Sequence, residues 1–411
     1  MKIFAPYFRS FLTIFIVALA VIFFAQCIHP DKEQAPVTPT VSINQFAGSA
    51  SCIQCHKSIY DTHLHTAHYL TTRIAEEKFI KGSFNKDSNM FAYDTSHFVA
   101  MEKRDSGFYQ VGYSNGIEKI ARRMDIVIGS GTMGQSFLNW NKNLLFQLPV
   151  TYFSAAHQWS NSPGYPNKII FNRPITSRCL ECHTTFAKKL TNENEDPEAF
   201  DRNQIIYGVD CEKCHGPAAE HIAYQTQHPT ALKAKFIINP AHLTRQQNMD
   251  LCASCHGGRL TKTKPSFQFK AGDKLADFYA IDTTAPNTNS IDVHGNQYGL
   301  LRASKCYRMS DTMTCNTCHN THENEKGKTT LFSQRCLTCH TVEHGNFCTL
   351  KNVSAASLKS NCIDCHMPLS PSRAIAVYLT GKAEPTAALI RSHFISIYPE
   401  ETKRLLNYIK K

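Results

Sequence analysis

The stretch Cys211-Glu-Lys-Cys214-His215-Gly-Pro-Ala-Ala-Glu-His221 sets two cysteines three positions apart and puts a histidine directly behind the second. The arrangement recurs. CIQCH holds Cys52, Cys55 and His56; CLECH holds Cys179, Cys182 and His183; CASCH holds Cys252, Cys255 and His256. Toward the C-terminus come CNTCH (Cys315, Cys318, His319), CLTCH (Cys336, Cys339, His340) and CIDCH (Cys362, Cys365, His366). Seven pairs end in seven histidines. With 20 His among 411 residues, independent placement would do this on the order of once in a billion, so the histidine belongs to the motif.

Three chemistries use paired cysteines. A zinc site needs pairs grouped into fours and gives no reason for a histidine at one fixed offset. A thioredoxin-like redox pair sits once or twice at a strand-to-helix turn, not seven times. A haem attached through two thioethers needs an imidazole beside the second one to bind the iron axially. The expectation is therefore seven covalent haem c groups, with the paired cysteines as attachment points and the seven motif histidines as iron ligands.

Covalent haem attachment calls for a compartment outside the cytoplasm, and the N-terminus reads as the address. Lys2 and Arg9 precede an apolar run from Phe11 to Ala25 that ends at Cys27. Fifteen such residues suit an export signal and fall short of the roughly 17 to 25 of a membrane span. Cys27 is placed for lipid attachment to a membrane surface, with plain cleavage or an uncleaved anchor as the alternatives. Gln26 before it is larger than the small residue usual there. The expected location is the periplasm or the outer cell surface.

The formal charge of +11 would ordinarily suggest an anionic partner. Haem propionates cancel it: seven haems subtract roughly 7 charges when oxidised and about 14 when reduced. Nucleic acid is excluded as a partner, since no basic run with interleaved aromatics is present either. The expected partner is a redox protein or a membrane quinol-linked complex.

The chain divides into a leader (1–27), a Pro- and Thr-rich tether (28–46) and a first motif with a β-rich insertion (47–175). Motifs two to four (176–260), a loop-rich connection (261–300) and motifs five to seven with a C-terminal helix (301–411) follow. The stretch KSIYDTHLHTAHYLTTRIAEEKF after the first motif reads as a helix. Residues 98–153 read as a small β-meander, with short β-favouring runs separated by Asp-Ser-Gly, Ser-Asn-Gly and Asn-Lys-Asn turns. Gly129-Ser-Gly131-Thr-Met-Gly134 inside it matches a dinucleotide fingerprint formally. No helix is expected at its third glycine, so it reads as a turn cluster. The expected fold class is mainly α, with stacked haem pairs, few regular elements and this one β insertion.

The second axial ligand decides function: another histidine makes an electron carrier, an open position makes a binding or catalytic site. His221, His322 and His344 lie a few residues beyond motif histidines, a spacing that suits a neighbouring haem. His63, His65 and His68 in THLHTAH, His294 and His393 complete the distal candidates. His97, His157, His228 and His242 read as ordinary surface residues, and His29 falls in the tether. Cys306 and Cys348, left over from the motifs, would most simply form a disulfide in an oxidising compartment, with a free thiol or a thiolate haem ligand as the alternatives.

These residues resemble a known group, the multihaem c-type cytochromes with a cytochrome c-554-like domain, named after the tetrahaem acceptor of electrons from hydroxylamine oxidoreductase. The likeness runs through SASCIQCHKSIYDTHLHTAH, IGSGTMGQSFL, LPVTYF, NSPGY, GVDCEKCHGPAAEH, MDLCASCHGG, MTCNTCHNTH and NCIDCHMP, over about residues 47–400. It implies a mostly helical fold with stacked haem pairs, supports His68, His221, His322 and His393 as ligands, and implies extracytoplasmic electron transfer. It names no substrate. The leading expectation is a heptahaem electron carrier with bis-histidine haems. The alternative is an oxidoreductase with one open haem acting on a small nitrogen or sulfur compound; the CxxCK motif of pentahaem nitrite reductases does not occur in the sequence.

Overall fold

The computed structural model describes residues 41–193, 195–280, 291–351 and 353–409. The expected export signal, Cys27, His29 and most of the tether lie outside the described residues. Residues 42–411 form one unit. No helix among the described residues is long and apolar enough to cross a membrane.

The expectation of a mainly α protein is overturned. The described residues are 30% helical and 25% strand, with five antiparallel sheets among them. The strands are β1 (Thr72–Ile74), β2 (Met90–Ala92), β3 (His97–Arg104), β4 (Gly107–Ser114), β5 (Ile117–Arg123) and β6 (Ile126–Ile128). They continue with β7 (Gly134–Asn141), β8 (Leu144–Gln147), β9 (Val150–Phe153), β10 (Gln158–Asn161) and β11 (Arg173–Pro174). One sheet runs β2-β3-β4-β5; a second runs β1-β6-β7-β8-β11, with β9 paired to β7 and β10 to β9. The chain reverses between β4 and β5 at Asn115-Gly116, both at positive φ (51° and 74°), which a two-residue hairpin turn demands and which Asn and Gly tolerate.

The helix expected after the first motif ends early, at His63. Thr66 Oγ1 donates to the His63 carbonyl at 2.8 Å, a side-chain bond that competes with helix continuation. β-branched Thr72 and Ile74 then pair with β6, where such side chains are favoured. The glycine cluster behaves as a turn: Gly129 and Gly131 take positive φ (99° and 81°) and Gly134 opens β7, not a helix.

The two sheets bury Phe91, Val99, Met101, Phe137, Val150 and Trp159 among others in one core. Trp159 is 1% exposed, and its indole N–H donates to the Ser83 carbonyl at 2.8 Å. A Cβ at Gly82 would fall 2.0 Å from its ring. Trp159→Ala is expected to cost about 3–5 kcal/mol, read as a shift in the urea midpoint of the loaded protein. Gly82→Ala should also destabilise, by overpacking.

Elsewhere the helices are short, and half of those described carry part of a motif. Cysteine motifs close Ser177–His183 and Arg245–His256, fill Cys211–His215 and Cys362–His366, and start at the end of Thr329–Cys336. Pro399–Ile409 is the C-terminal helix.

Candidate haem centres

At 3.6 residues per turn, positions i, i+3 and i+4 share one helix face. A CxxCH sequence in a helical turn therefore points both sulfurs and the imidazole the same way, which is what two thioethers and one axial bond to a single haem require. The second, third, fourth and seventh motifs sit in such turns. The fifth begins on a 3-10 turn, Cys315–Thr317, and His56 of the first leaves helical geometry (φ −120°, ψ 34°). Asp210 caps the third-motif helix, its Oδ1 accepting from Cys211 N at 2.8 Å.

The first four motifs and His319 of the fifth line one continuous cavity of about 1740 Å³. His63, His68, His221, His294 and His322 line it too. Its walls are the inner faces of these motif turns, closed on one side by the turn of residues 128–136.

The imidazoles are held for Nε2 to point outward. Nδ1 of His215 lies 2.8 Å from the Ile238 carbonyl, that of His366 2.8 Å from Ser396 O, and that of His340 3.0 Å from Asn346 O. A carbonyl can only accept, so Nδ1 carries the proton and Nε2 keeps its lone pair. Among the distal candidates, His221 does the same toward Lys235 O at 2.9 Å and His393 toward Arg391 O at 3.3 Å. His183 Nδ1 faces the Thr71 hydroxyl at 3.0 Å. Burial, reinforced by neighbouring imidazoles, pushes His68, His183 and His393 down to about 4; each is neutral at pH 7, the form that binds iron.

Three pairs of rings meet across space. His68 and His256 have ring centres 6.2 Å apart, His215 and His322 6.1 Å, His319 and His393 6.1 Å. With metal–imidazole bonds of about 2 Å, two imidazoles on opposite sides of one iron have centres about 6 Å apart. The donor set and its spacing thus fit haem iron, whose ferric/ferrous couple supplies one electron when the group is bound.

The other candidates differ. His63 is buried, 6.4 Å from the His322 ring, and its Nε2 stands 3.4 Å from Asp210 Oδ1, so it faces a carboxylate. His294 lines the cavity and its backbone N–H donates to Asp292 at 2.8 Å. His65 and His344 are exposed, as are His97, His157, His228 and His242. The expected Cys306–Cys348 disulfide is absent: both thiols are free. Cys306 neighbours Cys318 and Cys336, and Cys348 neighbours Cys365, so they lie at different motifs.

Sequence reading missed two side chains that organise the site. Glu212, inside the third motif, is 4% exposed and accepts backbone N–H bonds from Ala47 (2.8 Å), Gly48 (2.9 Å) and Ala218 (2.8 Å). It ties the start of the first motif to the third. Its acidity at a motif's variable position gave no signal. Glu325, bonded by Arg335, links the fifth motif to the sixth.

Hydrogen bonding from Arg335 holds the Glu325 carboxyl below its usual range, against a smaller desolvation. A lowered folded pKa stabilises above the unfolded value, about 4.3, and that contribution is lost as pH falls through the folded one. Acid titration followed by haem absorbance should show this tie lost only below the ordinary glutamate range, and Glu325→Gln should remove that part of the acid dependence.

The profile of the family Cytochrome c554 and c-prime matches residues 155–216, the segment with the second and third motifs. No curated protein matches the chain. Among solved structures, the outer cell wall cytochrome OcwA superposes with a TM-score of 0.53 at 17% identity, covering 88% of this chain and 81% of that one. The fold is thus that of a multihaem cytochrome, and the segment with the second and third motifs is similar to the Cytochrome c554 and c-prime family.

Proposed function

We propose that the chain is an extracytoplasmic heptahaem cytochrome that relays electrons to a redox partner, each CxxCH motif holding one haem c. The observation that carries this reading is the set of three imidazole pairs spaced as on one iron. His68 is assigned to the iron of the fourth motif, His322 to the third and His393 to the fifth. A second histidine fills the position a substrate would need, which favours electron transfer over catalysis. The apolar leader ending at Cys27 supports a place outside the cytoplasm, anchored to a membrane surface, with a redox protein or quinol-linked complex as the partner.

Iron per polypeptide and electron paramagnetic resonance of the oxidised protein test this together. Seven irons, all low-spin, are expected. A stoichiometric high-spin signal would instead mean an open haem and an enzyme acting on a small nitrogen or sulfur compound. For the ligand assignment, His393→Met should raise the potential of one haem, within the roughly 0.8 V range that axial ligation controls. An unchanged potentiometric titration removes His393 from the iron.

A further inference from the structure

We propose that the fourth motif is the node of a branched haem array, where three arms of the chain meet. One arm is the third motif with the first, another is the second motif, whose following strand also meets the third motif's cap (Asp210 N donates to Thr185 Oγ1 at 2.9 Å), and the last is the fifth motif followed by the sixth and seventh. The inference rests on the reading that each motif carries a haem, and it replaces a single file of haems by a three-way arrangement.

The contacts come from the motif residues themselves. Toward the second motif, Cys255 Sγ lies 3.9 Å from the Glu181 carbonyl, and the Arg178 guanidinium donates to Ser254 O at 2.8 Å. The Cys255 and Cys182 thiols are within hydrogen-bonding reach. Toward the fifth, Cys315 Sγ approaches Met249 Sδ at 3.9 Å, Arg245 Nε donates to Met313 O at 3.0 Å, and Cys252 reaches Cys315.

Toward the third motif, both motifs open into the same cavity. His68, whose ring faces His256, accepts at its carbonyl from Val209 N at 2.9 Å, just ahead of Cys211.

The arms then extend outward. Glu212 and the adjacent Cys52 and Cys211 thiols join the third motif to the first. Arg335 joins the fifth to the sixth through the Cys318 carbonyl. Ser333 Oγ donates to Ser360 O at 2.9 Å, joining the sixth to the seventh. Such a layout suits a protein with one port for electron supply and two for delivery.

The test is His68→Met in the full haem-loaded chain, followed by paramagnetic resonance during stepwise reduction. Methionine raises the potential of the iron it ligates, so the haem at the fourth motif is reduced first and becomes diamagnetic. Every ferric haem coupled to it must then change its signal. Three changed signals are expected, against two for His393→Met at the fifth motif. One or two changed signals in the His68→Met protein would overturn the node while leaving the relay intact. No potential shift at all would overturn the His68 assignment and the node with it. On the unaltered protein, one haem's potential should depend on the oxidation state of three others; should the variant not accumulate, fewer than three there sinks the proposal.

Discussion

Denied haem, the chain is expected not to hold this fold. The cavity between the motifs measures about 1740 Å³. Its walls are largely apolar surface that haem would cover and that water solvates poorly, and the whole stability of a domain is only about 5–15 kcal/mol. The two-sheet core around Trp159 lies apart from the cavity and can keep its packing. Apo-protein made with Cys-to-Ser motifs should therefore show fast amide exchange over residues 176–260 and 301–396, with protection surviving only in β2–β10. Uniform protection across the chain would show that the polypeptide alone holds the cavity open.

The second large effect belongs to Glu212. Its carboxylate satisfies three backbone N–H groups, from Ala47, Gly48 and Ala218, and the side chain is almost fully buried. Glu212→Ala leaves all three donors without an acceptor, each at about 1–3 kcal/mol. The expected loss is about 3–6 kcal/mol in chemical denaturation of the loaded protein. Glu212→Gln retains the oxygen that serves Ala47 and Ala218 but turns an amide N–H2 toward Gly48 N–H. Its loss should fall between the other two proteins. A Glu212→Ala protein within about 1 kcal/mol of the parent would mean that solvent reaches these groups and that the first motif is not tied through this residue.

The two predictions divide along the line of what could be read in advance. The expectation that the chain needs haem to fold follows from seven repeats of one pentapeptide. Glu212 could not be picked out, because two of its three partners, Ala47 and Gly48, lie 165 and 164 residues before it in the chain. The expected mainly helical character failed for a related reason. The motif turns are helical, but they are short, and the Thr-rich run after His63 turns into strand once β6 is there to pair with it. The β-favouring residues of 98–153 marked the insertion, while its outlying strands, β1, β2, β10 and β11, are too short to announce themselves outside a sheet.

Attachment chemistry is local. Two thioethers and one imidazole fit into a single helical turn, so the CxxCH spacing by itself marked where haem would be held, and no knowledge of the fold was needed. The second imidazole on each iron is a meeting in space. His68 stands in the same THLHTAH run as His63 and His65, with nothing in their spacing to separate them. Tertiary packing set His68 opposite His256, turned His63 to a carboxylate and left His65 in solvent. The same packing kept Cys306 from Cys348 and gathered three motifs around the fourth, because contacts between distant segments depend on how elements stack, which one-dimensional spacing does not encode.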